Sequence, residues 1–166
     1  MFVAEELRLP FEADVARARL LTFLQVEGLQ ESTEDAFDAG CDLLVRAGVG
    51  VASRQILVQV LRPYVNDNVT ILPLRWVATG ATGAMFPQLD GNLELAPAGD
   101  DASILRLNGA YRPPLSSLGA SLDRLLLNRV ADATARRFLK DIATGMAAVP
   151  DDGVPSVLAQ PAGADR

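Results

Sequence analysis

The chain contains no histidine and one cysteine, Cys41. Without an imidazole, the commonest general base and metal ligand and every Ser–His or Cys–His nucleophile system are excluded together. A single thiol permits no intrachain disulfide and leaves no Cys-rich zinc site, so Cys41 reads as a buried structural residue. Aromatic residues make up only 5% of a sequence that is 49% hydrophobic, so the interior must be built mainly from Leu, Val and Ala. No run of about 18 uninterrupted apolar residues is present, which excludes a membrane-spanning helix. The opening MFVAEELRLP places acidic residues where a secretory leader carries basic ones, and the expectation is a soluble, cytoplasmic protein.

What is present suits one domain. A chain of 166 residues is long enough to bury a sizeable core. The formal net charge of -6 argues against nucleic acid and anionic membrane surfaces as partners, since phosphate neutralisation requires clustered Lys and Arg. Arg136, Arg137 and Lys140 do group together late in the chain, where they read as a solvated helix face with cations near the helix C-terminus.

Periodicity orders the elements. FVAEELRL, residues 2–9, alternates as a strand with Val3, Glu5, Leu7 and Leu9 on one side. A helix follows Pro10, carrying Val15, Leu20, Leu21, Leu24 and Val26 between Asp14 near its start and Gly28 at its end. Residues 31–52 carry Phe37, Cys41, Leu44 and Val45 at helical spacing, with Ser32 or Thr33 as cap, and suggest a second helix; an irregular strand is the alternative. Four strands then occupy 56–64, 69–79, 86–97 and 102–112, joined by turn-rich links short enough to make neighbours antiparallel. In the third, Leu89, Gly91, Leu93 and Leu95 share a face, so one side of the sheet is wet and the other covered. The cover comes from residues 117–146, where Leu118, Leu122, Leu126, Val130, Ala133, Phe138 and Ile142 recur every three or four positions. Pro, Gly and Asp dominate the residues after Ala148, and 148–166 is expected to be a flexible tail behind a domain of residues 1–147.

Few motifs carry chemistry. TGATG, residues 79–83, resembles the nucleotide-binding turn of short-chain dehydrogenases and reductases. That turn needs a helix after it and a further glycine where this chain has Phe86, so a hairpin connection is the better reading. Glu34, Asp35, Asp38 and Asp42 cluster in sequence but read as capping and solubilising groups. NDN at 66–68 and DGN at 90–92 lack the framework of a calcium loop. Trp76 falls on the side of Leu72 and Leu74, as core anchor or pocket wall, while Arg75 points the other way. Tyr111 shares its face with Leu105, Leu107 and Gly109. Gly91 and Gly109 remove bulk from the middle of the inner face, either for close helix packing or for a bend that opens room.

The order of elements, with the runs LRWVATG, MFPQLDGNLELAPAG, LRLNGAYRPPL and LDRLLLNRVADATARRFL, resembles the START-related helix-grip superfamily of polyketide cyclases and lipid-transfer domains over residues 3–147. The resemblance implies an α+β fold in which a curved antiparallel sheet wraps around a long C-terminal helix, with a cavity between them for hydrophobic molecules. The expected lining is Leu74, Trp76, Leu93, Leu105, Leu107, Tyr111, Leu126, Val130 and Phe138. The expected partner is a lipid or polyketide-like small molecule, with no cofactor, no metal and no assigned catalytic residue; a homodimer is compatible with the sequence. Two alternatives stay open: a cyclase or dehydratase in which Tyr111 or an inward carboxylate such as Glu5 moves a proton, and a protein-interaction module with a filled core.

Overall fold

The computed structural model describes residues 2–24, 56–78, 88–112 and 124–150. Residues 31–52, with Cys41 and the acidic cluster, the TGATG segment at 79–83, and the tail beyond residue 150 lie outside the described residues.

Strand β1 (Phe2–Leu9) leads into helix α1 (Ala13–Leu24). Strands β2 (Ile56–Val60), β3 (Tyr64–Asn66), β4 (Val69–Ala78), β5 (Gln88–Pro97) and β6 (Ser103–Arg112) follow, and α2 (Arg124–Ala148) closes the order. The sheet runs β1-β6-β5-β4-β2, with β3 also paired to β4, and every pairing is antiparallel. At 1.5 Å per residue, the 25 residues of α2 make a rod of about 37 Å.

Six strands stand among the described residues where the sequence pattern predicts five, because the single strand expected over 56–64 is two. Val60 pairs with Leu74 and Tyr64 with Ile71, so β2 and β3 together spend one more residue than β4 does. Between them, the Leu61 amide donates to the Pro73 carbonyl at 2.9 Å. Pro73 has no N–H to return that bond, and the ladder opens there into a bulge. The chain then reverses through Asp67 and Asn68, whose φ of 46° and 68° are those of a two-residue type I′ hairpin turn.

The cross-strand register stacks the inner face in rows. From β1 across to β4 these are Leu7–Leu105–Leu95–Thr70, Glu5–Leu107–Leu93–Leu72 and Val3–Gly109–Gly91–Leu74. A last row, Tyr111–Leu89–Trp76, spans β6 to β4. The alternation read in the sequence holds: the Leu, Val, Tyr and Trp side chains of these rows are buried, Leu7 only partly, while Arg75, Asp90 and Ala110 face outward.

Helix α2 lies closest to β1, with α1 and β6 beside it, and buries Val130, Ala131, Ala135, Phe138, Leu139, Ile142 and Met146. Thr134 faces inward too, its hydroxyl donating to the Val130 carbonyl at 2.8 Å. Ala133 is half-buried. The basic group differs from expectation. Arg136 and Arg137 sit in the middle of α2, where they bond Glu5 at 2.9 Å and Asp141 at 2.8 Å. The C-terminal carbonyls are met by Arg19 of α1, which donates to Met146 O at 3.1 Å and Ala147 O at 3.4 Å. In α1 the buried stripe is Ala16, Arg19 and Leu20, with Leu21 exposed.

Candidate functional site: the face between sheet and helix

The site is the inner face of β4, β5 and β6 together with the stripe of α2 turned towards it. Period-two alternation brings one side chain in two from each strand to this face. The 3.6-residue period does the same for every third or fourth position of α2. Of the nine residues predicted to line it, eight have described side chains, and none is more than 3% exposed. Leu74, Trp76, Leu93, Leu105, Leu107, Tyr111 and Phe138 belong to a single cluster; Val130 is buried but outside that cluster. Leu126 falls within α2, with its side chain outside the described residues.

Sheet and helix meet through two rings. The edge of one of Trp76 and Phe138 approaches the other at 5.0 Å between centroids, with an interplanar angle of 86°, a favourable T-shaped contact. The next row of the sheet holds Gly91 and Gly109 directly opposite each other. A Cβ at Gly91 would overlap the Asn108 carbonyl oxygen and come 2.7 Å from Gly109 Cα; one at Gly109 would lie 2.9 Å from both Asp90 O and Gly91 Cα. These nearest atoms are backbone of the neighbouring strand and not of α2, so what the missing Cβ atoms permit at this row is a close approach of β5 and β6.

The paired glycines leave a strip without side chains on the inner face. Leu93 and Leu107 stand in the row on one side of it, Leu89 and Tyr111 in the row on the other, and Leu74 and Val3 close its ends. A curved antiparallel sheet with a long terminal helix seated on its concave face now has every part accounted for. The fold is the helix-grip α+β fold.

No protein-family model matches the chain, and no curated protein matches it in sequence. Among solved structures, those similar to this chain include TTHA0849 from Thermus thermophilus, at 15% identity over 89% of this chain and 98% of that one, with a TM-score of 0.46. A conserved protein from Geobacillus kaustophilus is 14% identical over 89% and 95% of the two chains, with a TM-score of 0.47. The Zhui aromatase/cyclase from a Streptomyces species is 10% identical over 89% and 93%, with a TM-score of 0.36. None of these likenesses bears on what the chain binds; the helix-grip assignment rests on the strand order and the seat of α2.

Among the described residues, polar groups on the inner face are few. Glu5, the inward carboxylate of the sequence reading, is a half-buried partner of Arg136 at the β1 edge, the two pinning α2 to that strand. Thr70 is buried and accepts from Arg17 Nε at 2.9 Å. Ser103 is fully buried, and its Oγ has no hydrogen-bond partner among the described residues. The sequence reading singled out none of Arg19, Thr70 and Ser103. The signals were present: Ser103 has the parity of Leu105 and Leu107, Thr70 that of Leu72 and Leu74, and Arg19 sits at the i+3 position from Ala16. No helix is long and apolar enough to cross a membrane among the described residues.

Proposed function

We propose that this protein binds a hydrophobic small molecule, of lipid or polyketide-like character, between the inner face of β4–β6 and α2. The observation that carries the reading is the paired Gly91–Gly109 strip. A face otherwise filled by Leu side chains is bare in one row, beside the large rings of Trp76 and Tyr111. Burial of apolar ligand surface there is worth about 25 cal/mol per Å². The few inner-face hydroxyls supply orientation rather than most of the affinity.

A second reading, a filled core whose outer surface meets another protein, is favoured by the Trp76–Phe138 contact and the near-zero exposure of the lining. A larger side chain beside the strip separates the two. Leu74 pairs with Gly91, so Leu74→Phe places a ring over the bare row. If the row is open, Nile red affinity falls at least about tenfold while stability holds within about 1 kcal/mol. If it is filled, the variant loses about 1–3 kcal/mol by overpacking, and the wild type shows no saturable dye binding. The cyclase or dehydratase alternative requires a proton-moving group, and Tyr111→Phe tests it once a turnover assay exists: undiminished turnover removes the hydroxyl from the chemistry.

A further inference from the structure

Helix α2 is cationic on an anionic molecule. Arg124–Ala148 contains five basic side chains and two acidic ones, so a chain of net charge -6 carries +3 on this helix and -9 on everything else. The helix dipole accounts for cations in a last turn, but these lie along the middle of α2, beyond its reach. Arg137 is paired with Asp141. Arg136, its side chain 61% exposed, bonds Glu5 through Nε, which leaves the two terminal nitrogens for a second acceptor. Arg129 and Lys140 are exposed, and neither side chain has an ion pair or a hydrogen bond among the described residues. At about 100° and 1.5 Å per residue, Arg129, Arg136 and Lys140 fall within about 40° of one another around the helix and span about 16 Å along it. They form a narrow basic stripe on the side of α2 away from the sheet, with Asp132 on one flank and Asp141 on the other.

We propose that this stripe is a docking surface for an acidic helix of a partner protein. Charge complementarity selects the sign of the partner, and the shape of the stripe selects its form. A helix that carries carboxylates at i, i+7 and i+11 presents them in a line of the same length and spacing, one to each cation. A broad anionic plane such as a lipid surface would also meet Asp132, Asp141 and the acidic remainder of the molecule, which repel it. Ala133, half-buried between the turns of Arg129 and Arg136, keeps the surface low enough for a second rod to lie alongside. The cations that have no intramolecular partner thus acquire one, and the Arg136–Glu5 pair, already exposed, extends to a third member without being broken. The docking surface stands apart from the inner face of the sheet and does not depend on what that face holds.

The probe is an Ala-rich helical peptide bearing Glu at i, i+7 and i+11, compared with a peptide of identical composition whose Glu residues are spread around the helix. Fluorescence anisotropy at low ionic strength is expected to show the striped peptide binding at least about fivefold more tightly, with an affinity that falls about tenfold on moving to physiological salt. R129E/K140E should weaken that binding at least about tenfold. R75E/R112E makes the same change in net charge on exposed arginines of the sheet and should weaken it less than about twofold. R129Q/K140Q, which removes the two charges without introducing repulsion, should keep the same order of effects if charge reversal unsettles the helix. Equal binding of the two peptides, equal loss in the two double variants, or no binding of the striped peptide overturns the proposal. Displacement of the peptide by phosphatidylserine vesicles overturns it as well, since the stripe would then belong to a membrane surface.

Discussion

Among the described residues, four polar or charged side chains are buried, Arg19, Thr70, Ser103 and Thr134. The Ser103 hydroxyl is buried without a described partner, and an unpaired buried hydroxyl costs about 1–3 kcal/mol. Ser103→Ala is therefore expected to raise stability by about 1 kcal/mol in urea denaturation. A loss of stability would mean that the hydroxyl holds an ordered water or another group. Glu5 and Arg136 form an ion pair whose side chains are 19% and 61% exposed. Such a pair contributes about 0–1 kcal/mol, so Glu5→Gln should lower the melting temperature only slightly. A cost above about 2 kcal/mol would assign the carboxylate a larger role than tying α2 to β1. At this scale the sequence was legible for apolar residues and not for polar ones. Parity places Leu105 and Leu107 inside and gives Ser103 the same face, but a pattern read from apolar residues alone passes over a serine at the start of the strand. Arg19 was missed because a cation on a buried stripe makes sense only once a partner helix end lies opposite it.

Among the elements, the sheet repays attention at two places where backbone chemistry overrides hydrophobic pattern. ILVQVLRPY reads as one strand, yet Pro73 on the facing strand cannot return the hydrogen bond from Leu61, and the pairing breaks. The interruption is marked on both sides, by Pro73 in β4 and by Pro63 between β2 and β3, so Pro63 was the signal that a reading of 56–64 passed over. Conversely, the glycines on β5 and β6 were visible as gaps, but their being opposite each other depends on register, and so does the close approach of β5 and β6 that they permit. Gly91→Ala should cost about 1–3 kcal/mol, since its Cβ meets the Asn108 carbonyl and only a backbone shift relieves it. A neutral result by chemical denaturation would show that β5 and β6 do not approach closely at this point. The long helix was legible from its three-and-four spacing, and its true stripe runs through Val130, Ala131, Thr134, Ala135, Phe138, Leu139, Ile142 and Met146. Its cations, read as lying near the helix C-terminus, sit at the middle of Arg124–Ala148, where Arg136 and Arg137 pair with Glu5 and Asp141.

For the molecule as a whole, the absence of histidine and the single cysteine remove imidazole catalysis and an intrachain disulfide. The fold follows from one asymmetry: a sheet wet on one face and apolar on the other must be covered, and the chain supplies a rod long enough to do so. That much is present in the alternation of β1 and β4–β6 and in the period of α2. The interior volume is not, because it depends on how far the sheet bends and how high the helix rides, both set by contacts distant in sequence such as Gly91 with Gly109 and Arg19 with Met146. The central claim, that bare and curved sheet beneath α2 leaves space for an apolar guest, is tested most directly by xenon titration followed by NMR. An apolar chamber is predicted to give a saturable xenon shift, with side-chain signals of Leu74, Leu93 and Tyr111 perturbed together. A shift that rises linearly with xenon pressure and leaves those three signals unmoved would contradict the account.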